Sequence, residues 1–456
     1  MLPTRVTSPA PRHDAIVIGG GSAASAFARG AAGFGARVLL IERGHLGGTC
    51  VNRGCVPKKL LWIASRTAGG IADLARVGIA ADACAGAIDY AVLHRRIDDE
   101  LTALRASFAA ALAHAGVAVL RGEAEVRDAK TVRVDGVDYA CETLVLATGA
   151  RPTRIAVDGA GLMSVSDDVF AWSTLPSRLL IVGGGYVGCE FAAIYAALGV
   201  DVTLVTHGDR VLERFDADAV DVVTRNLRNR GVDLRMNAGL DRVARVEGDA
   251  LEVGFGDGSI GTWDRVLCAT GRKPALDCAI ALGDRLEKGA NGALAVDDRL
   301  CTSVPGVHAI GDVAARIPLT PVATRDGAAL ASILYGHGGT VADLSTVAST
   351  VFVHPEIAQV GAFGQEHPAV GCHVDPLERG VLRAARGCEG EVFQKVSVDA
   401  GGRVAGAVLV GDGASEVIAW CAASIGAGLP ADALASAVPI HPSYAEELVG
   451  SRRLRG

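Results

Sequence analysis

The residues best suited to chemistry in this chain are two cysteines in the run Gly47-Gly48-Thr49-Cys50-Val51-Asn52-Arg53-Gly54-Cys55-Val56-Pro57-Lys58-Lys59. Two sulfurs this near in sequence can open and close reversibly, one attacking an outside disulfide and the other resolving the mixed disulfide. The spacing reads as a redox-active dithiol. Buried free thiols and half of a zinc site are the other readings of such a pair. Zinc fits poorly, because no second Cys-x-x-Cys or His-x-x-x-His pair follows at ligand spacing, and no metal is expected. His441 is the second candidate, since Glu446 five residues on can orient the imidazole and raise its pKa for proton transfer. Taken alone, a structural histidine is the plainer reading.

Around these residues the sequence lays out one nucleotide-binding design twice. Asp14-Ala15-Ile16-Val17-Ile18 is a short buried strand, Gly19-Gly20-Gly21 a turn, and a helix follows from Ser22 and Ala23 to about Gly33. Glycines at 19 and 21 let backbone amides approach a pyrophosphate at the helix N-terminus, and Ala24 in the third place still allows close packing. The next strand ends in Glu42, placed to accept hydrogen bonds from ribose hydroxyls. The second copy has a strand at 179–182, the turn Gly183-Gly184-Gly185-Tyr186-Val187-Gly188, a helix to about Leu198 and a strand at 201–205. Two dinucleotides are expected.

Glu42 stands 23 residues beyond Gly19, and the same step from Gly183 reaches Thr206, followed by His207. A carboxylate there would repel a 2′-phosphate, so Thr206 permits NADPH, although no arginine at 206 or 207 clamps the phosphate. Arg210 and Arg214 are either sources of that charge or solvated surface arginines.

Ala147-Thr148-Gly149 and Ala269-Thr270-Gly271 each end an apolar strand, which suggests that an inserted domain closes and the chain returns to the first. Gly311-Asp312 follows another apolar strand, at the strand end where ligands collect in open α/β sheets. Leu319-Thr320-Pro321 then opens a helix to about Tyr335. Beyond about 338 the texture changes to β-like runs, with helices from Ala414 onward. The expected domains are 1–149 continued by 273–337, an insertion at 150–272, and an α+β domain at 338–456.

Length and composition set the limits. The 456 residues, half of them hydrophobic, suffice for about three domains with large cores. A net charge of −7, with no basic tract flanked by aromatics, gives no attraction for nucleic acid. Eleven scattered cysteines, an odd count, fit a reducing compartment. The opening residues lack the apolar run of a signal peptide, and no stretch of about 20 apolar residues suggests a membrane span. A cytoplasmic protein with no membrane partner is expected. The 58 glycines and abundant alanine suggest tight turns and close helix packing.

The cysteine run, the two glycine turns, Gly311-Asp312 and His441-Pro442 with Glu446 together resemble the pyridine nucleotide-disulfide oxidoreductases over nearly the whole chain. The cysteine run, Leu319-Thr320-Pro321-Val322-Ala323 and the His441-Pro442 to Glu446-Glu447-Leu448-Val449 stretch are similar to the glutathione reductase branch. The tail carries no cysteine pair of the kind usual in mercuric reductases. The resemblance implies an α/β fold of two Rossmann-like dinucleotide-binding domains, one inserted in the other, plus a C-terminal α+β dimerisation domain.

It implies FAD in the first site, among Gly19, Gly21, Ser22, Ala23, Glu42, Gly48, Thr49, Thr148, Gly149, Gly311, Asp312 and Thr320. The nicotinamide cofactor would lie in the second, among Gly183, Gly185, Tyr186, Gly188, Thr206, His207 and Gly271, with Tyr186 covering its pocket. Cys55 would be the charge-transfer thiol and Cys50 the attacking one, with Lys58 paired to Glu190 beside the flavin. His441, held by Glu446, would shuttle the proton from the other subunit of a homodimer. A low-pKa thiolate at Cys50 is expected to draw on a nearby cation.

Ser22 and Arg29 fall at substrate-binding positions, Arg29 at one that holds a glutathione carboxylate. Ala328 stands where some relatives place a second substrate arginine, with Arg325 one helical turn away. His207 and Glu213 stand where animal-type enzymes carry arginines for the 2′-phosphate, and Gly188 replaces a common alanine. Thr206 is not the glutamate typical of NAD-using lipoamide dehydrogenases. The resemblance therefore favours NADPH over NADH, and glutathione disulfide over another low-molecular-weight disulfide. A flavin-binding regulatory protein without turnover would need none of Cys50, Cys55, Lys58, Glu190, His441 and Glu446.

Overall fold

A computed structural model describes residues 12–72, 88–289, 291–341, 343–364, 369–373, 391–441, 443, 445, 446 and 448. Pro442, Tyr444, Glu447 and Val449 of the expected His-Pro stretch, and residues 1–11 of the expected tail, lie outside them. The chain divides into two compact units.

The first unit draws on 1–58, 94–152 and 272–342. Its main sheet holds β1 (Arg12–Ile18), β2 (Val38–Glu42), β3 (Ala118–Arg121), β4 (Ala124–Asp128), β5 (Thr131–Val134), β6 (Val137–Leu146) and β17 (Val307–Ala309). The order is β3-β2-β1-β6-β5-β4, and β17 also pairs with β6. β1, β2, β3, β6 and β17 run parallel, so the central strands are covered on both faces and read as continuous apolar runs. Ile16 and Ile18 enter one core with Leu39, Ile41, Leu144 and Leu146. Ala15 and Val17 enter the opposite core with Val38, Leu40 and Val145. Each large side chain withdrawn in this way contributes about 1.5–3 kcal/mol.

β6 begins earlier than the apolar run suggests, because β4, β5 and β6 form an antiparallel meander. Its β5–β6 turn is Asp135-Gly136, both left-handed with φ of 49° and 80°, the turn chemistry that a two-residue hairpin demands. A short antiparallel pair, β7 (Ala150–Pro152) with β16 (Arg272–Pro274), joins the two Thr-Gly breaker segments.

α1 (Ser22–Gly33) and α7 (Thr320–Tyr335) pack together through small residues. A Cβ on Gly30 would stand 2.9 Å from that of Ala331, and one on Gly327 would collide with the Ala23 carbonyl. Here the abundance of glycine and alanine has a structural use. α2 (Gly48–Arg53) and α3 (Cys55–Ala72) follow β2, and α4 (Tyr90–His114) precedes β3.

The second unit draws on 59–93, 153–271 and 343–456. Its parallel sheet runs β11-β10-β9-β15-β8, made of β8 (Ser164–Val165), β9 (Arg178–Val182), β10 (Asp201–Val205), β11 (Asp233–Arg235) and β15 (Arg265–Cys268). α5 (Tyr186–Ala197) and α6 (Ala217–Asn229) belong to the same part of the chain, and the antiparallel β12 (Leu240–Arg245), β13 (Leu251–Phe255) and β14 (Ile260–Trp263) cover one core. A second, antiparallel sheet runs β18-β19-β22-β21-β20, from β18 (Ser349–Val351), β19 (Ile357–Gly361), β20 (Ala369–His373), β21 (Phe393–Val398) and β22 (Val404–Val410). α8 (Ala414–Gly426) and α9 (Ala431–Ser436) pack on it through Ile418, Cys421, Ala431 and Ala435. Among the described residues no helix is long and apolar enough to cross a membrane.

Candidate active site

The two glycine turns match bond for bond. In the first, Gly19 N donates to Ile41 O at 2.8 Å and Ala147 N to Ile18 O at 2.9 Å. In the second, Gly183 N donates to Val205 O and Ala269 N to Val182 O, both at 2.8 Å. Gly19 and Gly183 have φ of 111° and 116°, and a Cβ on either would strike the carbonyl of Ala147 or Ala269. Only glycine fits there. Gly21 and Gly185 occupy the N-cap positions of α1 and α5, where no side chain caps the helix. Backbone amides at both helix starts are thus left for an anion.

The residue at the end of the second strand distinguishes the two turns. Both Glu42 oxygens accept backbone amides, Oε2 from Gly20 at 2.5 Å and Oε1 from Gly44 at 2.6 Å; each keeps a lone pair for a hydroxyl. Thr206 takes the corresponding place, buried, with Gly208 N 3.4 Å from its Oγ1. His207 and Glu213 are exposed, and Arg210 donates to the Glu213 carbonyl at 2.9 Å. A Cβ on Gly188 would run into the Gly183 carbonyl, so that glycine has a packing reason independent of nucleotide choice.

The dithiol straddles a helix break. Cys50 lies in α2, Cys55 opens α3, and Gly54 between them has φ −149° and ψ −118°. No disulfide joins them here, and in the reduced pair they share one proton unequally. The hydrogen bond from Cys50 draws the Cys55 thiol down to about 6 against the opposing effect of burial, helped by Thr320 and by the Lys58 ammonium. That same bond, together with burial, pushes Cys50 far up. The low-pKa sulfur is therefore Cys55, not Cys50: it has the Cys50 thiol from α2, Thr320 at the start of α7 and the Lys58 cation in the first turn of α3 around it. Its Sγ lies 3.5 Å from Thr320 Oγ1, on the first residue of α7, where the helix dipole also favours an anion. Cys55 remains exposed on one side, while Lys58 is buried.

Replacing Thr320 by valine is expected to raise the Cys55 midpoint by about one to two pH units, since a hydrogen bond to a charged group contributes about 1.5–3 kcal/mol. In the reduced protein the thiolate, normally kept down to pH about 6, would then protonate at higher pH. Ultraviolet titration of the thiolate measures this directly.

Other predicted residues of the first unit gather nearby. Arg272 donates to the Ala150 carbonyl at 2.6 Å and stands 3.4 Å from Thr49 Oγ1. Thr148 donates to the Ala275 carbonyl at 2.6 Å, Gly149 N–Cα is left-handed at φ 68°, and Gly48 backs onto Gly21. Burial pushes the Asp312 carboxyl up, and Arg272 opposes this. A desolvated carboxylate of this kind gains from hydroxyl donors, and with the uncapped α1 and Glu42 it suits the pyrophosphate, ribose and sugar alcohol of FAD. Arg29 is exposed on α1, its Nε 3.4 Å from the Ser25 carbonyl, and Ser22 and Ala23 form the first turn of that helix.

In the second unit Glu190 is buried on α5 and accepts the Phe352 amide at 3.0 Å. Tyr186, first residue of α5, is half exposed, and Gly271 has φ 129°. His441 Nδ1 meets both oxygens of Glu446, at 3.0 and 2.9 Å. The remainder of the ring faces outward, the side chain being 67% exposed. The Cys55–Thr320 contact went unread in the sequence, although Pro321 marks a helix start and so places Thr320 at its N-terminus.

Comparison with known proteins adds independent findings. Residues 13–327 match the profile of the pyridine nucleotide-disulphide oxidoreductase family, and 347–452 that of its dimerisation domain. A glutathione reductase of Burkholderia cepacia is 36% identical over 97% of this chain and 99% of its own. Dihydrolipoyl dehydrogenase 3 of Haloarcula marismortui is 31% identical over 96% and 95%. Among solved structures, the Cu(II) complex of the HOCl-induced flavoprotein disulfide reductase RclA of Escherichia coli is similar with a TM-score of 0.84 and 27% identity. That similarity covers 96% of this chain and 98% of RclA.

Proposed function

The chain belongs to the pyridine nucleotide-disulphide oxidoreductase family and is a flavin-dependent disulfide reductase of glutathione reductase type, and from that premise we propose that it reduces glutathione disulfide with NADPH. The observation that carries the reading is the cysteine pair set across the break at Gly54, with Cys55 Sγ 3.5 Å from Thr320 Oγ1 at the start of α7, an arrangement that favours the thiolate at Cys55. Bound in the first site, FAD supplies two-electron transfer between the nicotinamide and the cysteine pair. Lys58 and Glu190 carry over from the family's motifs as residues that would serve the flavin, and Tyr186 as one that would guard the nicotinamide pocket.

Cys50 gives its proton to His441 of the partner subunit and attacks one sulfur of the substrate disulfide. The substrate's S–S bond breaks, a mixed disulfide forms on Cys50, and His441 returns the proton to the departing thiolate. The Cys55 thiolate then attacks the Cys50 sulfur, which releases the second half of the substrate as a thiolate that takes its proton from solvent and leaves Cys50 and Cys55 joined. Glu446 keeps the His441 ring in one orientation and stabilises its cationic form.

Large apolar side chains left exposed within the dimerisation-domain match support the homodimer: Trp420 is 77%, Val438 92% and Ile440 79% exposed. Arg29 and Ser22 would hold the substrate. Ala328, in place of a second substrate arginine, favours a second reading in which another low-molecular-weight disulfide is the substrate. With this function go the domain limits 149/150, 272/273 and 337/338.

Steady-state oxidation of NADPH and NADH with glutathione, trypanothione, coenzyme A and lipoamide disulfides tests the proposal. Fast turnover of NADPH with glutathione disulfide is expected, and flavin reduction without turnover of that substrate would refute it. Nucleotide choice has its own test. Thr206→Glu is expected to lower kcat/KM for NADPH by about tenfold to a hundredfold relative to NADH, because a carboxylate there repels the 2′-phosphate and bonds a free ribose.

A further inference from the structure

We infer that Arg105 is a positioning residue for the dithiol: through the side-chain amide of Asn52 it fixes the Gly47-Gly48 turn and with it the place of Cys50 beside Cys55. This rests on reading the two cysteines as a redox pair. Asn52 is buried in α2, between the two sulfurs in sequence. Its Nδ2 donates to the carbonyls of Gly48 at 2.8 Å and Leu46 at 3.0 Å, with that of His45 at 3.5 Å. Its Oδ1 accepts from Arg105 Nε of α4 at 2.7 Å.

The two ends of an amide have nearly the same shape, so packing alone does not choose which of them faces the turn. Arg105 reinforces at one end the choice that the turn carbonyls favour at the other. With the amide reversed, donor would face donor at the guanidinium and carbonyl would face carbonyl at the turn. A charge-assisted bond at one end of the amide also strengthens donation from the other. Asp98, 3.8 Å away on the same helix, steadies the guanidinium, whose side chain is 23% exposed.

The pinned turn has little slack. Gly47 and Gly48 are both left-handed, with φ of 95° and 60°, and a Cβ on Gly48 would stand 2.6 Å from the Cα of Gly21. The turn thus lies against the first glycine turn on one side and is tied by Asn52 on the other, two residues before Cys50. Cys55 is held independently, by α3 and Thr320. Loss of the pin frees Cys50 alone, so it donates less often to the Cys55 thiolate and closes the disulfide less readily.

The test compares Arg105→Met, which keeps the stem and removes the donor, with Arg105→Lys, which keeps a charged donor. In flavin-loaded protein without nicotinamide cofactor, a glutathione buffer sets the reaction: two protein thiols and one glutathione disulfide give the Cys50–Cys55 disulfide and two glutathione thiols. At about pH 5, where both thiols are protonated and the hydrogen bond to the thiolate does not enter, Arg105→Met is expected to lower that equilibrium constant about tenfold, a rise of about 30 mV for a two-electron couple. It should also raise the pH at which the Cys55 thiolate forms. Arg105→Lys should restore most of both, with flavin content unchanged throughout. Asn52→Ala should reproduce the methionine variant, and the double variant should be no worse than either.

A methionine variant with the wild-type equilibrium and thiolate midpoint overturns the inference, whatever its Tm. So does failure of lysine to restore them, or additive effects in the double variant. If oxidised wild-type protein yields no Cys50–Cys55 disulfide on peptide mapping, the redox-pair reading beneath it fails instead.

Discussion

A Cys50→Ser protein is expected to keep its flavin and lose disulfide turnover by about a thousandfold or more. Serine's hydroxyl is far less acidic than a thiol and forms no stable bond to sulfur, so neither attack nor a mixed disulfide remains. Flavin should stay bound, because the groups suited to it are the uncapped start of α1, Glu42 and Asp312. Flavin absorbance, nicotinamide-driven bleaching in a stopped-flow instrument and steady-state reduction of glutathione disulfide separate these stages. Full disulfide turnover by the variant would sink the proposed mechanism. Cys55→Ser should fail at a later stage, holding the first half of the substrate as a mixed disulfide on Cys50.

His441→Ala is expected to cost about a hundredfold to ten-thousandfold in turnover, the usual range for a removed acid-base group. The raised pKa of Cys50 makes the loss severe, because that sulfur keeps its proton beside the Cys55 thiolate and needs a base to take it. Glu446→Gln should cost less, since the ring survives and only its carboxylate partner is lost. Mixing inactive Cys50→Ser and His441→Ala subunits gives a sharper measurement. If each site takes its histidine from the other subunit, random re-pairing makes half the dimers hybrid, each with one intact site, and about a quarter of wild-type activity returns. No recovery in proven hybrids would place both groups in one chain and remove the shared site from the proposal.

Much of the fold was legible because its signals are local. A strand, a glycine turn, a helix and a second strand ending in Glu42 lie within 31 positions, 12–42, and the repeat at Gly183 allowed the chain to be compared with itself. The matching bonds at Ile41 and Val205 follow from that repetition. The β5–β6 hairpin carried an equally local signal, Asp135-Gly136, which the eye passes over between stronger apolar runs.

What the sequence left unread depends on residues far apart in the chain. Thr320 meets Cys55 across 265 positions and Arg105 meets Asn52 across 53, and no periodicity announces either contact. The assignment of the thiolate failed in the same way. A nearby cation was expected to favour Cys50, whereas the sulfur that receives a hydrogen bond from its neighbour, and has Thr320 and Lys58 around it, is Cys55.

The contact between α1 and α7 reaches further than the core. One end of α7 carries Thr320 against the sulfur, and its flank meets α1 where Gly30 faces Ala331 and Gly327 faces Ala23. An extra methyl at Gly30 or Gly327 has no room, so the helix must slide or tilt to admit it. Its leading hydroxyl would travel with it, away from the sulfur or toward it. The acidity of the thiol is thus set in part by hydrocarbon that never touches it, and a colour change followed against pH would serve as a ruler for displacements inside the protein.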